Sequence, residues 1–425
     1  MKKACLISLM VLVMSSQATA WWPPSDVEIV PQHPTCSQVV TIILAGDWPD
    51  SCVPNKSTVL VTSNDIHFDA MWDYPAGTPC TTVVTAWQLS ENVGPLAPGR
   101  YAVYARLVGH PFIEEQYAPL AQFVVTGQIV YVDAGAPGRN DGSSWGNAFR
   151  FLQDALVAGS VNGLATEIRV AEGTYRPDRT SAHPTGSHDR TATFQLRNGL
   201  IVEGGYAGFG KADPEARDTE LYPTILSGDL SGNDIPVSDA LDLVNAPSRA
   251  ENCYHVVTGS GTGQTAVLDG FIITGGNANV PASADPDCGG GMYNATGSPT
   301  VANCRFVHNA AEMFGGGMYN VLNSSPALSN CIFTGNLSNS QGGGMFNMTG
   351  SSPSLAGCAF SENYAGMGGG LAGLLNGSPT LTTCTFTANT AQLNGGGMRN
   401  DDGCNPTLAN CVFSGNLVTD KGGSG

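Results

Sequence analysis

Positive charge is scarce in this chain: 18 lysines and arginines stand against 35 aspartates and glutamates over 425 residues. So negative a balance opposes binding to nucleic acid or to an anionic membrane surface, both of which recruit clustered basic side chains. Long apolar runs are missing too. The stretch from Ala4 to Met14 is too short to span a bilayer, and no later one qualifies. Preceded by Lys2 and Lys3 and followed by Ala18-Thr19-Ala20, it has the form of a secretory leader, residues 1–20, cleaved before Trp21. The expectation is an exported protein without a transmembrane segment, secreted or held at the cell surface. Cleavage removes two bases and no acid, leaving 16 basic against 35 acidic side chains.

The last third of the chain lacks any stretch suited to paired helices, because glycine and proline interrupt it too often. What it has is a repeat. Gly-Gly-Gly begins at Gly289, Gly315, Gly342, Gly368 and Gly395, a step of 26 or 27 residues. Pro299, Pro326, Pro353, Pro379 and Pro406 each stand five residues before Cys304, Cys331, Cys358, Cys384 and Cys411. Phenylalanine follows each cysteine by two, as Phe306, Phe333, Phe360, Phe386 and Phe413, and asparagine by five, as Asn309, Asn336, Asn363, Asn389 and Asn416. A fixed period in this range marks stacked units, none of which can bury its apolar face alone.

Within each unit Val301, Leu328, Leu355, Leu381 or Leu408 stands three before the cysteine. Period-2 spacing puts Cys and Phe on one face of a strand, while the offset of three requires a bend before Cys. That bend falls on Asn303, Asn330, Gly357, Thr383 and Asn410. Asparagine and glycine tolerate the left-handed conformation of a sharp bend; Thr383 suits it poorly. If each unit is one coil, equivalent residues lie roughly 4.8 Å apart, the spacing of hydrogen-bonded strands. The expected architecture is all-β, with three-strand coils of about 27 residues holding axial ladders of Leu, Cys, Phe, Asn and Met. The Met ladder is Met292, Met318, Met345 and Met398, with Leu371 in the fourth coil.

These units resemble the coils of right-handed parallel β-helix proteins secreted by environmental bacteria, with the pectin-lyase-like fold, and more distantly the repeats of polymorphic outer-membrane proteins. Tyr131 to Leu156 and Glu167 to Pro177 look like the first coil of such proteins, where a Trp and a short amphipathic helix close the open end. Phe149, Leu152, Ala155 and Leu156 have the helical spacing for that lid. Asn252 to Ala278 reads as a degenerate coil. The resemblance covers residues 128–425, with regular coils at 289–425, and it implies a fold far more than an activity. No outer-membrane barrel follows the coils to anchor the chain. The pattern breaks off in Lys421 to Gly425 with no cap visible. Truncation is the expectation, with cover by a partner, or self-association through an open β-helix end, as the alternatives.

Residues 21–127 have another texture. Short β-branched and aromatic runs, VVTIILAG, STVLVTS, TTVVTAW and GRYAVYARLVG, are separated by turn residues in the pattern of a small antiparallel sandwich. GDWPDSCVP and GPLAPGRYAVYA look like pieces of the Ig-like domains at the front of secreted bacterial proteins. Cys52 and Cys80 are the preferred disulfide, leaving Cys36 over, although any of three pairings is open. The ladder cysteines are read as a buried thiol column, because coil spacing holds their Cβ atoms beyond the disulfide range of about 3.5–4.5 Å. Cys253, Cys288 and Cys404 stay unassigned.

Chemistry is sparse on the regular coils. Glu312, Glu362, Asp401, Asp402 and Asp420 are their only acids, and no two recur at one coil position, so no catalytic residue is assigned there. The segment from Thr180 to Asp287 is richer, with His183, His188, Asp189, Arg190, Arg249 and His255 among others. Its Ser227 to Asp239 stretch could wrap a calcium ion with Asp229, Asp234 and Asp239, but it lacks the order of a standard calcium loop. The bland alternative is a set of acidic loops facing water. Asn-x-Ser/Thr triplets at Asn294, Asn323, Asn336, Asn347 and Asn376 are acceptors only in a glycosylating host. The function expected is a non-enzymatic surface or matrix scaffold that binds extracellular glycan or protein, without cofactor. Its competitor is a polysaccharide lyase or glycoside hydrolase acting on acidic polysaccharide from the 180–287 segment.

Overall fold

The computed structural model describes residues 24–32, 38–75, 78–94, 96, 99–110, 116–125, 127–162, 165–237, 239–279 and 287–420. The leader and Cys36 lie outside them. The chain divides into two compact units, Met1–Thr126 and Gly127–Gly425.

The first unit holds two sheets. β1 (Asp26–Val30), β2 (Val40–Trp48) and β5 (Thr85–Val93) form one antiparallel sheet, and β3 (Lys56–Thr62), β4 (Asp65–Met71), β6 (Gly99–Val108) and β7 (Ala118–Val125) form the other. Alternation is clean: Val40, Ile42 and Leu44 on β2 and Ile66, Phe68 and Ala70 on β4 are fully buried, while their neighbours along each strand are not. One expectation is corrected. β4 and β6 run parallel, so the second sheet is mixed and the unit is not wholly antiparallel. The cause lies in the connection: β5, between them in sequence, pairs with β2 in the other sheet and carries the chain back to its starting end.

The second unit is a solenoid of parallel strands. Its four sheets contain nine, eight, seven and six strands among the described residues, each strand paired in register with its counterpart one coil away. In one coil the four walls, numbered in the order of those sheets, are Thr300–Ala302 (first), Arg305–Val307 (second), Met292–Ala295 (third) and Ala310–Ala311 (fourth). A coil therefore has four walls where the sequence implied three. Two bends make the difference: besides Asn303 (φ 51°), His308 is left-handed (φ 53°), as are Gly335, Glu362, Ala388 and Gly415 at the same position in later coils. The wall after this second bend can be as short as two residues, too short to show any alternation. Thr383 takes the left-handed conformation (φ 55°) despite its branched Cβ, because its coil must turn where its neighbours do.

Like residues meet along the axis. Phe306, Phe333, Phe360, Phe386 and Phe413 stack with centroids 4.6–4.7 Å apart and planes within 4°. Beside them, Asn336 Oδ1 accepts from both the backbone N–H and the Nδ2 of Asn309, at 3.1 Å each. The scheme repeats from Asn336 to Asn363, Asn363 to Asn389 and Asn389 to Asn416. Each Nδ2 also donates to a backbone carbonyl of the preceding coil, as Asn336 does to Phe306 O at 2.9 Å. The Gly triplet answers two demands. Gly342 is left-handed (φ 68°), and a Cβ on Gly343 would lie 2.4 Å from the Tyr364 carbonyl oxygen.

The first coil is closed by α1 (Leu152–Asn162), which buries Leu152, Ala155 and Leu156 against Val130, Ile168 and Val170. Phe149 is not on this helix; it forms a parallel bridge to Val132. At the other end the coil of Thr407–Val418 is exposed, with Phe413 at 44% and Leu417 at 59% where Phe386 is at 0%.

Replacing Phe333 with Ala should cost about 3–5 kcal/mol in urea unfolding, as for a stacked core aromatic, and a negligible change would mean that the ring is not in the core. Thr383→Asn should gain about 1 kcal/mol in the same assay by relieving the left-handed strain. A loss there would contradict the bend assignment.

Candidate functional site

The segment from Thr180 to Asp287 proves to be coil as much as insertion. Phe194–Gln195, Ile201–Tyr206, Thr224–Ser227, Val257–Thr258 and Ile272–Thr274 all belong to the walls, and their pairings continue into the regular coils. Loops between these strands carry the polar residues.

The candidate calcium ligands are engaged elsewhere. Asp229 Oδ1 accepts the N–H groups of Gly232 (2.7 Å) and Asn233 (3.1 Å), and its Oδ2 accepts that of Asp234 (3.2 Å), which closes a turn. Asp234 pairs with the buried Arg249 at 3.1 Å and accepts from Asn252 Nδ2 at 2.8 Å. Asp239 is exposed and accepts from the Leu241 N–H at 3.0 Å. Among the described residues, the one group of three close metal-donor side chains is Asp50, Cys52 and Cys80. Cys52 and Cys80 form a disulfide, with Cα atoms 5.5 Å apart, so their sulfurs are not available to a metal.

Arg249 ties the inserted loop to the solenoid. Its Nη2 donates to the carbonyls of Gly276 and His308, both at 3.1 Å, and burial lowers its pKa from the usual guanidinium value. Arg190 plays a similar part, donating to Asn252 O and Asn279 Oδ1 while its guanidinium lies 4.4 Å over the Tyr254 ring. His255 is half-buried against Tyr293, with Nδ1 3.1 Å from the Gly289 carbonyl oxygen.

Two clefts open on the outside of the solenoid. One of about 250 Å³ lies between residues 243–250 and the fourth wall, with a base including Leu243, Ala310 and Leu337 and a rim carrying Glu312 and Asn339. Another of about 180 Å³ lies under the loop at Thr219 and Glu220, over the second wall at Ile272, Arg305 and Ile332. Among the described residues each is lined by a single acid, Glu312 or Glu220. Hydrolysis of a glycosidic bond uses two facing carboxyl groups.

Sequence reasoning overlooked two features. A second buried carboxamide ladder runs through Asn294, Asn320 and Asn347, with Nδ2 to Oδ1 distances of 2.8 and 2.9 Å. Asn294, Asn336 and Asn347 are fully buried, which closes those three triplets to any glycosylating enzyme in the folded state. The readable signal was the Asn five residues into each unit after the Gly triplet began, kept in three successive coils. Outside the tube, Tyr293, Tyr319 and Phe346 form a separate apolar column, with Phe314 stacked 4.6 Å from Phe346.

A family model described as right handed beta helix region matches residues 291–424. The parallel ladders agree with it. Residues 291–424 are a right-handed β-helix region. No curated protein and no solved structure matches the chain. Among the described residues of this repeat protein, no helix is long and apolar enough to cross a membrane.

Its cysteine column is unpaired and inward-facing. Cys304, Cys331, Cys358 and Cys384 are buried, and Cys411 in the last coil is partly exposed. The Cys331 thiol lies 3.4 Å from the Val301 carbonyl oxygen one coil back. Burial pushes the Cys304 thiol up to about 12, and the hydrogen bond with Cys331, together with burial, does the same to Cys358. Folding thus favours the protonated thiol. The resulting stability is fully present below the unfolded-state value near 9 and is lost as pH rises towards 12. The urea midpoint should accordingly fall between pH 9 and pH 12, and Cys358→Ala should flatten that slope. A slope identical in the variant would remove the thiols as its cause.

Proposed function

We propose that this chain is an exported, non-enzymatic scaffold: a front module of Ig-like character followed by a rigid β-helix that binds extracellular glycan or protein at the cell surface or in a matrix. The observation that carries this reading is the outward face of the regular coils. Successive coils present Ala327, Ser354, Thr380 and Thr407 in one column and Thr334, Ser361, Thr387 and Ser414 in another, side chains that are small, neutral and in register. Such a wall offers area and stiffness without reactive groups. The engagement of Asp229 by three backbone N–H groups and of Asp234 Oδ2 by Arg249 and Asn252 supports the same reading, because these bonds serve the fold. Export is supported by the Cys52–Cys80 disulfide, a bond that persists in oxidising compartments.

The full chain should bind on a glycan array or to a surface protein and show no turnover in a uronide-elimination assay, with or without calcium. Turnover that a folded Asp229→Ala or Asp234→Ala variant lacks would replace the scaffold with a lyase.

A further inference from the structure

The repeated coils provide their own standard, and the informative residue is the one that departs from its column. On the outward side of the second wall the column reads Ile272, Arg305, Ile332, Ala359, Thr385 and Val412. Arg305 is its only charge. It stands where the loop from Ala207 to Pro223 leans over the wall, and it is here that the cleft of about 180 Å³ opens.

That loop is rigid. Arg217 anchors it through Gly204 O at 2.9 Å and Asp269 at 2.8 Å, and the Asp218 carboxylate caps the N–H groups of Glu220 and Leu221 at 2.9 and 3.0 Å. Glu220 is thereby held opposite Arg305 without being tightly bound by it. Arg305 Nη1 lies 3.5 Å from both Glu220 oxygens, well beyond the 2.7–2.9 Å of a charge-assisted bond, and Arg305 Nε has no acceptor. Along the neighbouring bend runs a short polar ladder. Asn303 donates to Asp269 Oδ1 at 3.0 Å, and Asn330 donates to Asn303 Oδ1 at 3.4 Å. The next position is Gly357, where an added Cβ would sit 2.8 Å from Asn330 Oδ1, so the glycine keeps that oxygen uncovered.

We infer that this cleft binds one ring of a neutral polysaccharide. The inference rests on the scaffold reading and gives it a site and a ligand class. The floor of Ile272 and Ile332 is aliphatic, suited to the C–H face of a pyranose. The rim alternates donors and acceptors: the Arg305 guanidinium and the asparagine amides donate, and Glu220 and Asn330 Oδ1 accept. Sugar hydroxyls do both, and a hydroxyl lying beside this loose pair can accept from Arg305 and donate to Glu220. An anionic sugar would meet Glu220 and Asp269 at the site and the formal charge of −17 over the whole chain. An extended peptide has no free strand edge to join here, because the wall strands at Ile272, Arg305 and Ile332 are paired on both sides.

The test is calorimetric titration of the full chain with neutral hexasaccharides of glucose and of mannose and with oligogalacturonate. The variants are Arg305→Ile, which extends the Ile272–Ile332 column and should keep the fold, Glu220→Gln, and Thr385→Ile as a control farther along the same column. The wild type should bind a neutral hexasaccharide, Arg305→Ile should weaken that binding about tenfold or more with an unchanged unfolding midpoint, and Thr385→Ile should leave it intact. Binding of oligogalacturonate alone would overturn the ligand class. Neutral binding that survives in both Arg305→Ile and Glu220→Gln would overturn the site while leaving a glycan-binding scaffold. No binding to any of the three would overturn the inference, and the turnover assay would still decide between scaffold and lyase.

Discussion

Inside the solenoid, each carboxamide of the ladder from Asn309 to Asn389 is fixed by the coil before it and the coil after it. In Asn336 the oxygen accepts twice from the coil before, and the nitrogen donates both to a backbone carbonyl of that same coil and to the asparagine oxygen of the coil after. A buried amide left without these partners would cost about 1–3 kcal/mol, so the ladder can form only if successive coils stay in register. Register then dictates the rest. A coil that places its asparagine also places its phenylalanine on the ring below and its cysteine against the thiol column, which is why five units keep the same residues at the same steps.

The same constraint separates structure from function. A charge inside such a ladder would be repeated or left unpaired, and either is expensive. Ionisable groups are therefore moved to the loops inserted among the early coils and to isolated outward positions. Most of the loop charges then serve the fold: Arg249 fastens one loop to the fourth wall through backbone carbonyls, and Arg217 fastens another to the first. The Arg305–Glu220 pair differs, because its partners face each other at the length of a loose contact across an open cleft.

Much of this architecture was legible in the sequence because a solenoid writes its contacts as a period. The positions of the Cys, Phe, Met and Asn ladders and the bend before each cysteine follow from spacing, while the helix that closes the first coil came from the resemblance to other β-helix proteins. Where spacing carried no information, the reading fell short. The fourth wall in its shortest form is Ala310–Ala311, too brief for any alternation, and the bend that creates it falls on residues as unlike as His308, Gly335 and Glu362. The parallel pairing of β4 and β6 depends on which sheet β5 joins, a long-range choice that local pattern does not encode. Glu220 and Arg305, 85 residues apart, meet only because a loop folds back over a wall, and a search for paired carboxylates would not have brought them together.

The central claim is that equivalent residues lie directly over one another. Thr300 and Thr407 occupy the same outward column four coils apart. Spin labels at these two positions, in a background with Cys36, Cys404 and Cys411 replaced by Ser, should give a single narrow electron-resonance distance distribution centred at about 19 Å, four strand spacings. A broad distribution, or a mean far from that spacing, would contradict the stacked coil and every ladder built on it.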